Sequence, residues 1–170
     1  MADIFPTGYF AAQRFLKGLN DRDRKEYTAV CVGCGPVGIC AMTCALTMVD
    51  TVYAIDSIPE RLEEAKKIGA IPINLNDDPV QKIKDATGGR GADVVMELVG
   101  HADAFQLCFD MIRPWGQISS IGVQYVSSSL TPPFAPTHLH PHLHIHHTSV
   151  LLLLSSVHLL TSLLAPNNSP

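Results

Sequence analysis

Between Tyr27 and Gly38 the chain reads YTAVCVGCGPVG, an apolar β-type run that opens onto Gly33-Cys34-Gly35-Pro36-Val37-Gly38. A loop of this type can wrap a backbone around an anion. Gly33 permits the tight turn out of the strand, Gly35 lets a pyrophosphate approach the main chain, and Gly38 lets the next helix pack closely on the sheet. The first-turn amides of that helix have no intrahelical acceptor. They carry a partial charge of about half a positive unit, so they suit phosphates. Pro36 gives up a donor that a first helical turn does not use. Asp56 closes the next apolar run about 20 residues further on, where an acidic side chain accepts from the hydroxyls of an adenosine ribose. Each such charge-assisted bond contributes about 1.5–3 kcal/mol. A 2′-phosphate would meet a carboxylate there, so the pattern expects NAD rather than NADP. The alternative is a βαβ unit that binds nothing and keeps its glycines for packing. The strand before the loop, the helix after it and the acidic residue beyond favour binding.

These residues need a sheet to hold them, and the rest of the chain supplies its pattern. Residues 8–19 carry apolar side chains near helical spacing and predict one amphipathic helix, and 20–26 read as a charged, solvated surface turn. The loop leads into a helix over 39–49, and 51–55 form a second strand. Residues 59–68 start with proline, carry acids early and lysines late, and stop at Gly69, which are helix signals. A short strand at 70–75, a helix at 79–86 and a Gly-rich turn at 88–91 follow. ADVVMELV, residues 92–99, is apolar on both faces as a central parallel strand should be. A helix over 102–112 and a strand over 117–123 complete the series. The alternation predicts an α/β fold: a doubly wound parallel Rossmann sheet of about five strands in order 3-2-1-4-5. It is expected to be incomplete, since the sixth strand of a full dinucleotide fold is not recognisable.

Composition narrows the function classes. With 170 residues the chain can bury a real core, and a net charge of −4 gives no electrostatic case for nucleic acid or an anionic membrane. Charged residues make up 16%, against a usual quarter, and every one of them precedes Pro114. Four of the five cysteines, Cys31, Cys34, Cys40 and Cys44, lie in the glycine-loop stretch, with Cys108 apart. Cys31-x-x-Cys34 has metal-like spacing, but its place in a strand and a tight loop makes these small buried residues. No secretory signal is evident at the start, so a reducing cytoplasmic setting is expected. From residue 124 the chain turns to Ser, Pro, His, Thr and Leu. His138, His140, His142, His144 and His146 would share one face of an extended chain, yet a Pro- and Ser-rich stretch offers little second shell for a metal. Leucine-rich 150–165 falls short of the roughly 20 residues that span a bilayer. The tail is expected to be disordered, and a membrane role is not expected.

The segments DIFPTGYFAA, VGCGPVG, Asp56 with RLEEAK, IGA, TGGRGAD and RPWGQISSIGV together resemble the cofactor domain of zinc-dependent alcohol dehydrogenases in the medium-chain dehydrogenase/reductase superfamily. Among these the chain looks nearest the formaldehyde-dehydrogenase-like branch. The resemblance covers most of residues 1–123. It implies an NAD(H)-binding role in hydride transfer from a small alcohol or aldehyde, with Gly33, Gly35, Pro36, Val37 and Gly38 on the pyrophosphate. It further implies Asp56 on the ribose, Arg61 flanking the adenosine, and Gly122, Val123 and Thr7 beside the nicotinamide. Asp3 aligns with a zinc ligand of the family, the alternative being a cap or a solvated terminus. The family's other zinc ligands and proton-relay residues come from a preceding catalytic domain, so the chain is expected to be a cofactor-domain fragment, inactive by itself. His101 is expected to take a surface or helix-cap role rather than to ligate. Three parts are expected: a junction segment 1–26, an NAD-binding domain 27–123, and an aberrant tail 124–170.

Overall fold

A computed structural model describes residues 3–122. β1 (Thr28–Val32) is buried along its whole length and lies at the centre of the sheet. β2 (Thr51–Asp56) and β4 (Ala92–Glu97) flank it in parallel, with Val32 opposite Ile55 on one side and Glu97 on the other. β3 (Ile71–Asn74) and β5 (Ile112–Ser120) complete the order β3-β2-β1-β4-β5, as the alternation predicts. Pro72 lies in β3, where an edge strand tolerates a residue without a ladder donor.

Helices cover both faces because alternate residues of each strand point to opposite sides. Ala29 and Cys31 share one core with α1 (Ile4–Leu16), α3 (Pro36–Ala45) and α4 (Pro59–Lys67). Val30 and Val32 share the other with α5 (Pro79–Ala86) and α6 (Ala102–Met111). Among the described residues no helix is long and apolar enough to cross a membrane.

Four local readings need correction. α1 begins at Ile4 rather than residue 8. A proline in the first turn, Pro6, forfeits only an amide that has no partner there, so the Pro-Thr-Gly run does not break the helix. Residues 20–26 contain a short helix, α2 (Asp21–Glu26), rather than a turn. Asn20 caps it by accepting from the Asp23 amide at 2.9 Å, and none of its residues is buried. β5 starts at Ile112, inside the span read as helix. Its pairing with β4 skips from Ala92↔Ile112 to Val94↔Gln117, and the intervening bulge holds Trp115 at φ 66°. The helix after the glycine loop runs from Pro36 to Ala45, earlier at both ends than 39–49. The histidine tract, the leucine-rich stretch and the expected tail lie outside the described residues.

Candidate functional site

Each glycine of the loop occupies a distinct environment at the C-terminal edge of the sheet. The Gly33 amide donates to the Ile55 carbonyl at 2.9 Å, binding the exit of β1 to β2. Gly33 has φ +97°, a backbone that requires glycine, and its Cβ position lies 2.8 Å from the exposed Val99 Cγ2. Gly35 is the N-cap of α3, with extended backbone and no side chain closing the helix end. No atom comes within 4 Å of its Cβ position. At Gly38 a Cβ would run into the Gly33 carbonyl oxygen, which is how closely α3 sits on the loop. The result is a helix mouth with an open approach over Gly35 and Pro36 at its first position. Donor geometry and dipole both suit an anion there.

Asp56 ends β2 beside this mouth and is 8% exposed. Its Oδ2 accepts from the Cys34 amide at 2.8 Å and its Oδ1 from the Ile58 amide at 2.9 Å. Arg61, on the first turns of α4, brings Nη1 to 3.6 Å from Oδ2. The carboxylate therefore anchors the glycine loop. A carboxylate offers about four lone-pair positions, so acceptor capacity remains for further hydroxyls. Sequence reasoning expects a ribose acceptor at Asp56 and missed this anchoring task.

The other expected site residues divide. Gly8 of α1 packs so tightly on α3 that a Cβ would lie 2.9 Å from the Val37 carbonyl oxygen and 2.7 Å from Cys40 Cβ. Thr7, the preceding residue, is half-buried. The Thr7 hydroxyl donates to the Asp3 carbonyl at 2.7 Å. Asp3 is exposed at the N-cap of α1, yet its carboxylate makes no capping bond. Gly122 follows β5, and its amide donates to the Glu97 carbonyl at 3.2 Å. Val123 lies outside the described residues. His101 caps α6, its Nδ1 accepting from the Asp103 amide at 3.3 Å, as expected.

Two buried carboxylates escaped the sequence reading. Asp93, near the start of β4, accepts from Arg113 Nε at 2.6 Å, Arg90 Nη1 at 2.7 Å and the Thr28 amide at 2.8 Å. It locks the opposite end of the sheet. Glu97, the last residue of β4, accepts from the Val99 and Gly100 amides and from Ser120 Oγ. Their signal was present in ADVVMELV: two acids in a strand whose every residue is buried must each find donors.

The cysteines are all free thiols. Burial, and then the Asp56 charge, push the Cys34 thiol up to about 12, against a smaller opposing pull from Arg61. Burial likewise raises Cys31 and Cys108. These are protonated packing groups, neither nucleophiles nor ready metal ligands. Zinc, which the resemblance implies, does not fit the described residues. Asp3 has no companion ligands, since no three His, Cys, Asp or Glu side chains among them stand close enough to hold a metal.

Comparison with known proteins agrees with this architecture. A family model described as zinc-binding dehydrogenase matches residues 36–156, running past Val123, where the resemblance was expected to stop. Zinc-type alcohol dehydrogenase B of Aspergillus flavus is 50% identical over 127 residues, covering 72% of this chain and 30% of that protein. Medium chain reductase/dehydrogenase ucsI of Acremonium is 44% identical over 141 residues, covering 81% of this chain and 47% of that protein. Among solved structures, alcohol dehydrogenase TADH from Thermus sp. ATN1 superposes with a TM-score of 0.66 at 32% identity, covering 88% of this chain and 38% of that one. The chain thus spans between about a third and a half of the length of these relatives. With a family match over most of its length and a parallel sheet carrying the glycine loop at its C-terminal edge, the chain belongs to the zinc-binding dehydrogenase family.

Proposed function

We propose that residues 27–123 form the NAD(H)-binding region of an alcohol dehydrogenase-like oxidoreductase that moves a hydride between a small alcohol or aldehyde and NAD. The observation that carries this reading is the α3 mouth, uncapped by any side chain and open over Gly35, with Asp56 fixed beside it. In this reading the pyrophosphate lies over Gly33, Gly35, Pro36, Val37 and Gly38. Asp56 accepts from the ribose hydroxyls with the lone pairs that Cys34 and Ile58 leave open, and Arg61 flanks the adenosine. Thr7, Gly122 and Val123 border the nicotinamide. When bound, the dinucleotide supplies the hydride acceptor, and these residues hold and orient it. The family membership of the chain supports the reaction class.

The described residues contain no cluster able to hold zinc, which supports a second reading: a dinucleotide-binding fragment or pseudoenzyme, inactive as this chain. DIFPTGYFAA supports a place near the formaldehyde-dehydrogenase-like branch, with residues 1–26 as its junction segment and 124–170 as a tail, while five free thiols suit a reducing cytoplasm.

Calorimetric titration of the full chain with NAD+ and NADP+ tests the proposal. NAD+ should bind and NADP+ should bind more weakly. Asp56→Asn, which weakens two charge-assisted bonds, should lower NAD+ affinity about tenfold or more and narrow the gap to NADP+. Absence of NAD+ binding by the folded chain, or unchanged selectivity in the variant, would refute it. Turnover of alcohols by the purified chain would overturn only the claim of inactivity.

A further inference from the structure

We propose that Glu97 is a positioning residue for the nicotinamide end of the dinucleotide, an inference that rests on the cofactor reading above. Glu97 ends β4, opposite Val32 of β1 and Ser120 of β5. The strand order reverses between β1 and β4, and sheets of this kind take ligands outside the C-terminal strand ends at that reversal. A carboxyl group with 0% exposure at this spot is expensive unless its oxygens are fully engaged. They are. Oε1 accepts from the consecutive amides of Val99 at 2.8 Å and Gly100 at 2.7 Å, and Oε2 accepts from Ser120 Oγ at 2.9 Å. The main-chain carbonyl of the same residue accepts from the amides of Ile121 at 3.0 Å and Gly122 at 3.2 Å.

One residue therefore joins the turn after β4 to the segment after β5. That junction shapes the wall next to the glycine loop. Val99, held by its amide, presents a half-exposed side chain against Gly33. Gly122 sits so close that a Cβ would run into the Gly100 amide and lie 2.9 Å from Glu97 Oε2. Asp56, at the adenosine end, bonds to none of these groups. An aliphatic residue at position 97 would leave two amides and a hydroxyl without their acceptor. The turn and the β5 exit would then lose their common anchor while the α3 mouth kept its own.

The test is titration of the full chain with NAD+ and, separately, with AMP, which reports on the adenosine end. Glu97→Ala should weaken NAD+ about tenfold or more and leave AMP within about twofold. Glu97→Gln keeps a carbonyl oxygen for the two amides and an amide group for Ser120, so it should recover NAD+ affinity to within about threefold. Should Glu97→Ala fail to fold, Ser120→Ala removes a single donor and is expected to weaken NAD+ more than AMP. Equal weakening of both ligands, no effect on NAD+, or no recovery with glutamine would overturn the proposal. A wild-type chain that binds AMP and NAD+ with these variants behaving alike sinks only the role of Glu97. A wild-type chain that binds neither ligand removes the cofactor reading, and this role with it.

Discussion

Gly35 and Gly38 belong to one motif, yet the structure predicts opposite consequences for them. Gly35→Val places a side chain in space that no protein atom occupies within 4 Å of the Cβ position, on a backbone of φ −68° that valine accepts. Stability should change by no more than about 1 kcal/mol, since a poorer N-cap is offset by a less flexible unfolded chain. Ligand binding should change greatly. A branched side chain over the mouth keeps a pyrophosphate from the first-turn amides. Losing two charge-assisted bonds of about 1.5–3 kcal/mol each lowers NAD+ affinity by about 10²- to 10⁴-fold. Gly38→Ala reverses the balance. Its methyl meets the Gly33 carbonyl oxygen, a backbone atom in a turn already bonded to β2, so relief requires moving α3 or the loop. Overpacking of this kind costs about 3 kcal/mol, a fall of roughly 10 °C in Tm for a domain of this size. Thermal unfolding followed by circular dichroism, with calorimetric titration of NAD+, measures both quantities. A Gly35→Val protein that unfolds early, or one that binds NAD+ as the wild type does, refutes the reasoning, as does a Gly38→Ala protein of unchanged Tm.

Two further outcomes concern the scaffold. Asp93→Ala strips the acceptor from Arg113, Arg90 and the buried Thr28 amide, and should destabilise the fold by about 3 kcal/mol or more without selective loss of any ligand; chemical denaturation giving under about 1 kcal/mol would contradict the anchoring role. Cys34, with its thiol pushed up to about 12 mainly by burial, should resist iodoacetamide in the folded protein at pH 8 and react once denaturant is added. The folded state holds that proton more tightly than the unfolded one. Its stabilising contribution is thus complete below the ordinary thiol range and is lost as pH rises from about 9 towards 12. Rapid native-state labelling at Cys34, identified by peptide mass, would contradict its burial.

The alternation of short apolar runs with capped, charge-ordered helices was enough to read a parallel sheet and its strand order, because periodicity is a property of neighbours in sequence. The same holds for the glycine loop: turn, approach and close packing follow from which of Gly33, Gly35 and Gly38 stands where. Asp56 was legible by its spacing from that loop. Its hold on the Cys34 amide was not, since the partners are 22 residues apart. Asp93 and Glu97 passed unnoticed in an apolar strand, since their donors Arg113 and Ser120 lie 20 and 23 residues away. The start of α1 was equally hidden. The sequence reading opens the helix at Gly8, which instead lies inside it and packs closely against α3. Local chemistry thus selected the elements and the loop. Where a buried carboxylate finds its donors, and which segments a single side chain ties together, depended on residues distant in sequence, because the worth of a buried polar group is set by the donors that surround it rather than by its neighbours along the chain.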